Sequence, residues 1–430
     1  MKNPSSNSLS NMFRFIKNLT SIYFSSKYNT ENVTVISSMF EYCTSLVSIN
    51  LSNFNTKNVI NMSMLFFSCE KLKSIDLSRL KTQNLKDMRR MFSYASSLTS
   101  IDFTNFDTSN VVTMNYLFES CYSLTSINIS NFNTQKVEDM SYMFYSGKFE
   151  KIDLSNFNTK NVKYMNGMFY MSLIKELDLS NFDTRNVVDM SEMFFRCSHL
   201  TSIKINSFNT TKVKDMNAMF FHCDSLNELD LSNFDTQNVE DMNNMFSYLQ
   251  SLKRFNLSNF NTKNVKNMEN MFSDCYSLTS LSLNFDTHNV TNMQLMFANC
   301  NDLKHLNISS FDTQNVENMF AMFSHTGLEE IDVSHFNTSN VKDIGSMFYL
   351  CKGLTEIDLS NFDTRKVTNF GEIFYYSDKL HRVDISSFYF YKNVKLFRGF
   401  SSFGVVIVNN YIKNFIIDQV PNSWMVITAN

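Results

Sequence analysis

The sequence predicts an α/β fold wound as a solenoid, with parallel strands on one face and short helices on the other. The first observation is a period. An aromatic-turn unit, Asn-Phe-Asn/Asp-Thr, recurs every 25 or 26 residues, its Phe slot filled in fourteen copies running from Tyr28 and Phe54 to Phe336 and Phe362. A degenerate copy follows at Phe388. The second observation is register: in all fourteen copies a Thr stands two residues after the anchor and a Phe twelve after it. A unit this short cannot bury its own apolar face, so a fixed period in the twenties means that each copy stacks on its neighbours. The third is the rarity of breakers, two prolines and eight glycines, which leaves no flexible linker within the array.

Residues 46–72 show the unit in full. Leu46, Ile49 and Leu51 form the L-x-x-L-x-L pattern of a leucine-rich repeat. Ile49 and Leu51 alternate with Ser48, Asn50 and Ser52, a period of two that reads as a short strand with one polar face. Val59, Met62, Leu65 and Phe66 follow at spacings of 3, 3 and 1, which reads as a helix. Thr56 and Asn58 precede that stretch and are side chains suited to capping its first amides. The chain then returns through Cys69 to Leu72, the first leucine of the next strand.

Two columns define the expected interior. Eleven methionines hold the position eight after the anchor, from Met62 to Met319, and eleven more hold the position three later, from Met39 to Met347. Flanked by Val and Phe, they read as pliable core filler. All eight cysteines fall fifteen residues after the anchor, in a slot that other copies fill with Ala95, Gly147 or Ser172. A slot that accepts such residues is small and buried, and a free Cys there acts as a small hydrophobe. The invariant Thr is expected to bond backbone at the strand-to-helix turn.

The stretch from Leu177 to Cys197, LDLSNFDTRNVVDMSEMFFRC, resembles the 26-residue repeat of the BspA-like leucine-rich repeat proteins, a bacterial surface-protein family. The resemblance covers roughly residues 19–390. It implies a leucine-rich-repeat-like solenoid of about 14 repeats and a role in surface attachment or host contact. It carries over no catalytic residue.

The candidate ligand-binding strip runs along the polar strand face, four residues before the anchor. It comprises Asp76, Asp102, Asp153, Asp178, Asp230, Asp332, Asp358 and Asp384, interspersed with Asn50, Asn128, Lys204, Asn256 and Asn307. Parallel neighbours lie about 4.8 Å apart, so adjacent carboxylates such as Asp76 and Asp102, or Asp332 and Asp358, must be solvated or bridged by a cation such as calcium. Solvation is the simpler reading, and no metal or cofactor is predicted. The next column outward changes from uniform serine (Ser48, Ser74, Ser100, Ser126) to mixed charge, including Glu176, Arg254, His305, Glu330, Glu356 and Arg382. A specific contact needs such variation, because identical repeats offer only a uniform lattice.

Catalysis finds no foothold. The seven histidines are scattered over different repeat phases. No phosphate loop, zinc-protease helix or nucleophile elbow is present, and His222 beside Cys223 only borders the small-slot column. A formal charge of −3 gives no basic footprint for nucleic acid. No segment reaches the roughly 18–20 apolar residues of a membrane span, and the polar start lacks a signal peptide. The expected organisation is a polar segment with a partial repeat (1–18), the solenoid (19–388), and a degenerate repeat with a terminal cap (389–430) whose final strand is Val405–Val408. The expected function is non-enzymatic binding of a protein or glycan ligand in adhesion at a cell surface. An intracellular protein-interaction scaffold is the alternative.

Overall fold

The computed structural model describes residues 6–390, 394–400 and 403–429. Residues 1–5 of the predicted N-terminal segment, and residues 391–393, 401–402 and 430 of the predicted cap, lie outside the described residues. The chain divides into two compact units, residues 1–212 and 213–430. Each is a parallel β-solenoid whose coils repeat the sequence period.

In the first unit the strands are β1 (Ser21–Tyr23), β2 (Ser48–Asn50), β3 (Ser74–Asp76), β4 (Ser100–Asp102), β5 (Glu176–Asp178) and β6 (Ser202–Lys204). They pair in parallel and in register, Ile75 beside Ile101 and Asp76 beside Asp102. The second unit holds β7 (Ser280–Ser282), β8 (His305–Asn307), β9 (Glu356–Asp358), β10 (Arg382–Asp384), β11 (Gly404–Val408), a one-turn helix α1 (Lys413–Ile416) and β12 (Trp424–Thr428). Its last sheet runs β12-β11-β10-β9, so β12 rather than β11 is outermost. The coil strands are only three residues long because their final residue turns the chain: Asp76 accepts the backbone N–H of Ser78 at 2.9 Å through Oδ1, an Asx turn.

The predicted helices opposite the strands do not form. Among the described residues α1 is the only α-helix, and Val59–Phe66 and its counterparts are runs of tight turns. In one coil, Met91 N–H bonds Met88 O, Ser93 bonds Arg90 O and Ala95 bonds Phe92 O, each three residues back. The alternate amides leave the coil: Met88, Arg90, Phe92 and Tyr94 donate to Thr113, Asn115, Leu117 and Glu119 of the next one at 2.8–3.3 Å. Arg90 and Tyr94 sit at φ of 54° and 61°, at the third position of successive turns, as a type II turn requires. Left-handed φ costs a non-glycine residue on the order of 1 kcal/mol, and here the inter-coil ladder offsets it. Consecutive turns bury residues at spacings of three and four, as a helix does. The same Met-x-x-Met-Phe pattern therefore serves either structure.

The core is a set of files. In the first unit the rings of Phe40, Phe66, Phe92 and Phe118 stack nearly parallel with centroids 5.7–6.0 Å apart. In the second, Phe246, Phe272, Phe297 and Phe323 do the same at 5.6–5.8 Å. The two methionine columns are buried beside them. All eight cysteines are free and buried. Cys69 donates its thiol to the Phe40 carbonyl of the preceding coil at 3.2 Å, and Ser377 uses the same slot, donating to Phe348 O at 2.7 Å.

The capping roles expected of Thr56 and Asn58 are replaced by inter-coil ones. Thr56 donates to Lys81 O at 2.9 Å and accepts Lys81 N–H at 2.8 Å. Asn58 Nδ2 donates backward to Glu31 O at 2.8 Å. The same pair of bonds recurs in the second unit, from Thr262 to Asp286 O and from Asn264 to Gln237 O.

Candidate functional site on the strand face

Each aspartate of the predicted strip closes a turn, which explains why asparagine alternates with it: both supply the Oδ1 acceptor. Asp76, Asp102, Asp178, Asp358 and Asp384 end regular strands, whereas Asp153, Asp230 and Asp332 occupy the same phase outside one. All are exposed except Asp384, which is half-buried. In every case Oδ1 accepts the amide two residues on, at 2.8–3.0 Å. These bonds favour the ionised carboxylate. Those from Thr104, Ser334 and Ser360 lower the pKa of Asp102, Asp332 and Asp358 below the ordinary aspartate value. Asp178 is lowered most strongly, first by Lys204 and then by Ser180, and Lys204 Nζ lies 2.8 Å from its Oδ2.

The register places Asp76 directly beside Asp102 and Asp358 beside Asp384, and opposes Asp178 with Lys204. Among the described residues no three His, Cys, Asp or Glu side chains gather in an arrangement able to hold a metal ion. His222 Nδ1 lies 3.1 Å from Asp224 Oδ1 and its ring stacks on Tyr248 at 3.8 Å, while Cys223 is fully buried. Among the described residues no helix is long and apolar enough to cross a membrane.

Charges in the outer column pair along the stack in several coils. Lys151 meets Glu176 at 3.7 Å and Arg382 meets Glu356 at 3.9 Å. The second unit departs from this at β7. There Asn284 alone separates the inward Leu283 from the anchor Phe285, whereas Ser258 and Asn259 separate Leu257 from Phe260. That turn is one residue shorter, and a groove of about 830 Å³ opens over β7 and β8. Ser280 and Ser282 lie in its floor, Arg254 and Phe255 on one side, and Glu330 and Asp332 on the other.

Sequence reasoning singled out Asp332 and the change of charge in the outer column but not the serines or Phe255. The one-residue contraction near Ser282 was the signal that marked them. A smaller hollow of about 470 Å³ lies on the first unit's strand face, where Asn50, Asp76 and Arg79 meet.

Residues 7–124, 98–202, 171–282, 195–305 and 278–388 match the sequence family described as "Mycoplasma protein of unknown function, DUF285". These matches tile the 25- and 26-residue repeat that carries the resemblance to BspA-like leucine-rich repeat proteins, and that resemblance stands. In structure the chain is similar to a leucine-rich repeat protein from Bacteroides ovatus ATCC 8483, with 14% identity over 86% of this chain and 88% of that one and a TM-score of 0.36. It is also similar to a leucine rich cell surface protein from Faecalibacterium prausnitzii A2-165, with 14% identity over 93% of this chain and 78% of that one and a TM-score of 0.26. No curated protein matches the chain by sequence.

Proposed function

This chain belongs to the DUF285 family, and we propose that it is a non-enzymatic repeat protein that binds a protein or glycan ligand on its strand face, in adhesion at a cell surface. One observation supports the choice of face. At the invariant turn and slot positions the polar side chains are spent on holding coils together: threonine and asparagine bond the neighbouring backbone, and thiols bond the phenylalanine carbonyls. The serine and charged columns beside the aspartates do not take part in these ladders. They repeat at about 4.8 Å and vary in charge from coil to coil, which is what a solenoid needs in order to discriminate ligands along an extended surface. Adhesion rests on the family resemblance, an inference by analogy because a fold does not set a function.

The test has two arms. Protease shaving of intact cells is expected to release peptides of this protein, and full protection until lysis would remove the surface assignment in favour of a cytoplasmic scaffold. Arrays of extracellular proteins and glycans, probed with the purified chain and with a variant carrying Asp76→Ala and Asp102→Ala, are expected to show binding that the variant loses with only a slight fall in melting temperature. Binding that survives the double substitution would move the ligand off the aspartate strip.

A further inference from the structure

We propose that the groove over β7 and β8 binds an extended peptide carrying one acidic and one basic side chain about four residues apart. This rests on the strand-face reading above and adds a place and a ligand class to it. Arg254 and Glu330 are exposed, and among the described residues neither makes an ion pair or a side-chain hydrogen bond. Their neighbours are already matched: Lys304 pairs with Glu329 at 3.0 Å and Arg382 with Glu356 at 3.9 Å. Three coils separate Arg254 from Glu330, about 14 Å at the usual strand spacing. That exceeds the Debye length of about 8 Å at physiological salt, so the two charges do not satisfy each other.

Between them the groove is lined by Ser280, Ser282 and His305, and Ser282 is a small hydroxyl side chain where other coils carry Asp, Asn or Lys. The half-buried Phe255 and Leu306 supply an apolar strip along it. An extended chain rises about 3.3 Å per residue, so four steps span the distance. A carboxylate at one end meets Arg254, a cation at the other meets Glu330 and Asp332, and the serine hydroxyls face the peptide backbone between them. Nucleic acid is disfavoured because Glu330 and Asp332 repel phosphate. A glycan is disfavoured because the groove offers no Tyr or Trp, and Phe255, its one phenyl ring, is half-buried and gives a sugar little face to stack on.

The experiment uses the whole chain and fluorescein-labelled, N-acetylated and C-amidated peptide pools with Glu-Xaa-Xaa-Xaa-Arg at their centre, read by anisotropy. Control pools of equal length carry two Glu, two Arg, or adjacent Glu-Arg. The spaced pool is expected to bind about tenfold tighter than any control, the scale on which close charge pairs act at interfaces. Arg254→Glu is expected to remove that preference, and adding Glu330→Arg to restore it with the peptide reversed. Both side chains are exposed, so unchanged melting temperatures check folding. Equal binding of all pools, binding untouched by Arg254→Glu, or a glycan whose binding is lost in the same variant would each overturn the proposal. If Asp76→Ala with Asp102→Ala abolishes array binding while Arg254→Glu does nothing, the groove fails and the strand-face reading survives. If neither variant matters, both fail.

Discussion

The Thr184 hydroxyl is clamped between two coils: it donates to the Asn209 carbonyl at 2.8 Å and accepts the Asn209 amide at 2.7 Å. Thr184 is fully buried, so a valine of the same shape leaves the Asn209 N–H and C=O without that partner. At about 1–2 kcal/mol for each group, the lower part of the range because the Asn209 backbone is only part-buried, Thr184→Val should cost roughly 2–4 kcal/mol in urea titration. Thr184→Ser keeps the hydroxyl and should cost far less. Equal losses for the two variants would show that the methyl, not the clamp, matters.

Phe246 is fully buried and stacks between Phe220 at 6.2 Å and Phe272 at 5.6 Å. Truncation opens a cavity in a file that cannot collapse without shifting both neighbouring coils. Phe246→Ala is expected to lower stability by about 3–5 kcal/mol. A melting temperature near that of the parent would contradict the continuous aromatic file.

Burial pushes the thiols of Cys197, Cys275 and Cys351 up to about 12. A pKa raised on folding gives stability that is complete below the unfolded value, about 8.5. That stability is lost as pH climbs from there toward the folded value. Urea midpoints should therefore fall above about pH 8.5, and replacing these cysteines with serine should flatten that decline. In the native protein a thiol reagent at neutral pH should react only as fast as the protein opens. Rapid labelling without denaturant would refute the buried-slot assignment.

The strip aspartates behave in the opposite sense. Hydrogen bonds from Thr104, Ser334 and Ser360 lower the folded pKa of Asp102, Asp332 and Asp358. Their contribution is present above about pH 4 and is lost as pH falls through the depressed values. The groups are exposed, so the effect is small. Asp332→Asn with Asp358→Asn should keep the turns and remove the acid dependence, whereas alanine at both should lose both turn bonds with only a slight fall in melting temperature. A large loss with asparagine would mean that the charge, not the Oδ1 acceptor, holds the turn.

The run of turns from Met88 to Ala95 and its counterparts predicts a far-ultraviolet circular dichroism spectrum without the helical double minimum. A strong helical signal from the purified chain would restore the helices that the spacing suggested.

The sequence by itself determined the coil. A period repeated fourteen times names every phase, so the inward Phe, Met and small-slot columns, a short strand and the outward aspartates were all legible before any coordinate. Two things were decided only by tertiary structure. Residues at spacings of three and four are buried equally well by a helix and by consecutive tight turns. The choice falls to the amides of Met88, Arg90, Phe92 and Tyr94, which find carbonyl partners in the next coil rather than four residues back. The groove beside Arg254 and Glu330 is likewise not a property of any one repeat. It arises where one shortened turn, small serines and unpaired charges from four successive coils are brought side by side, and a pattern that treats every copy alike carries no record of how their side chains meet.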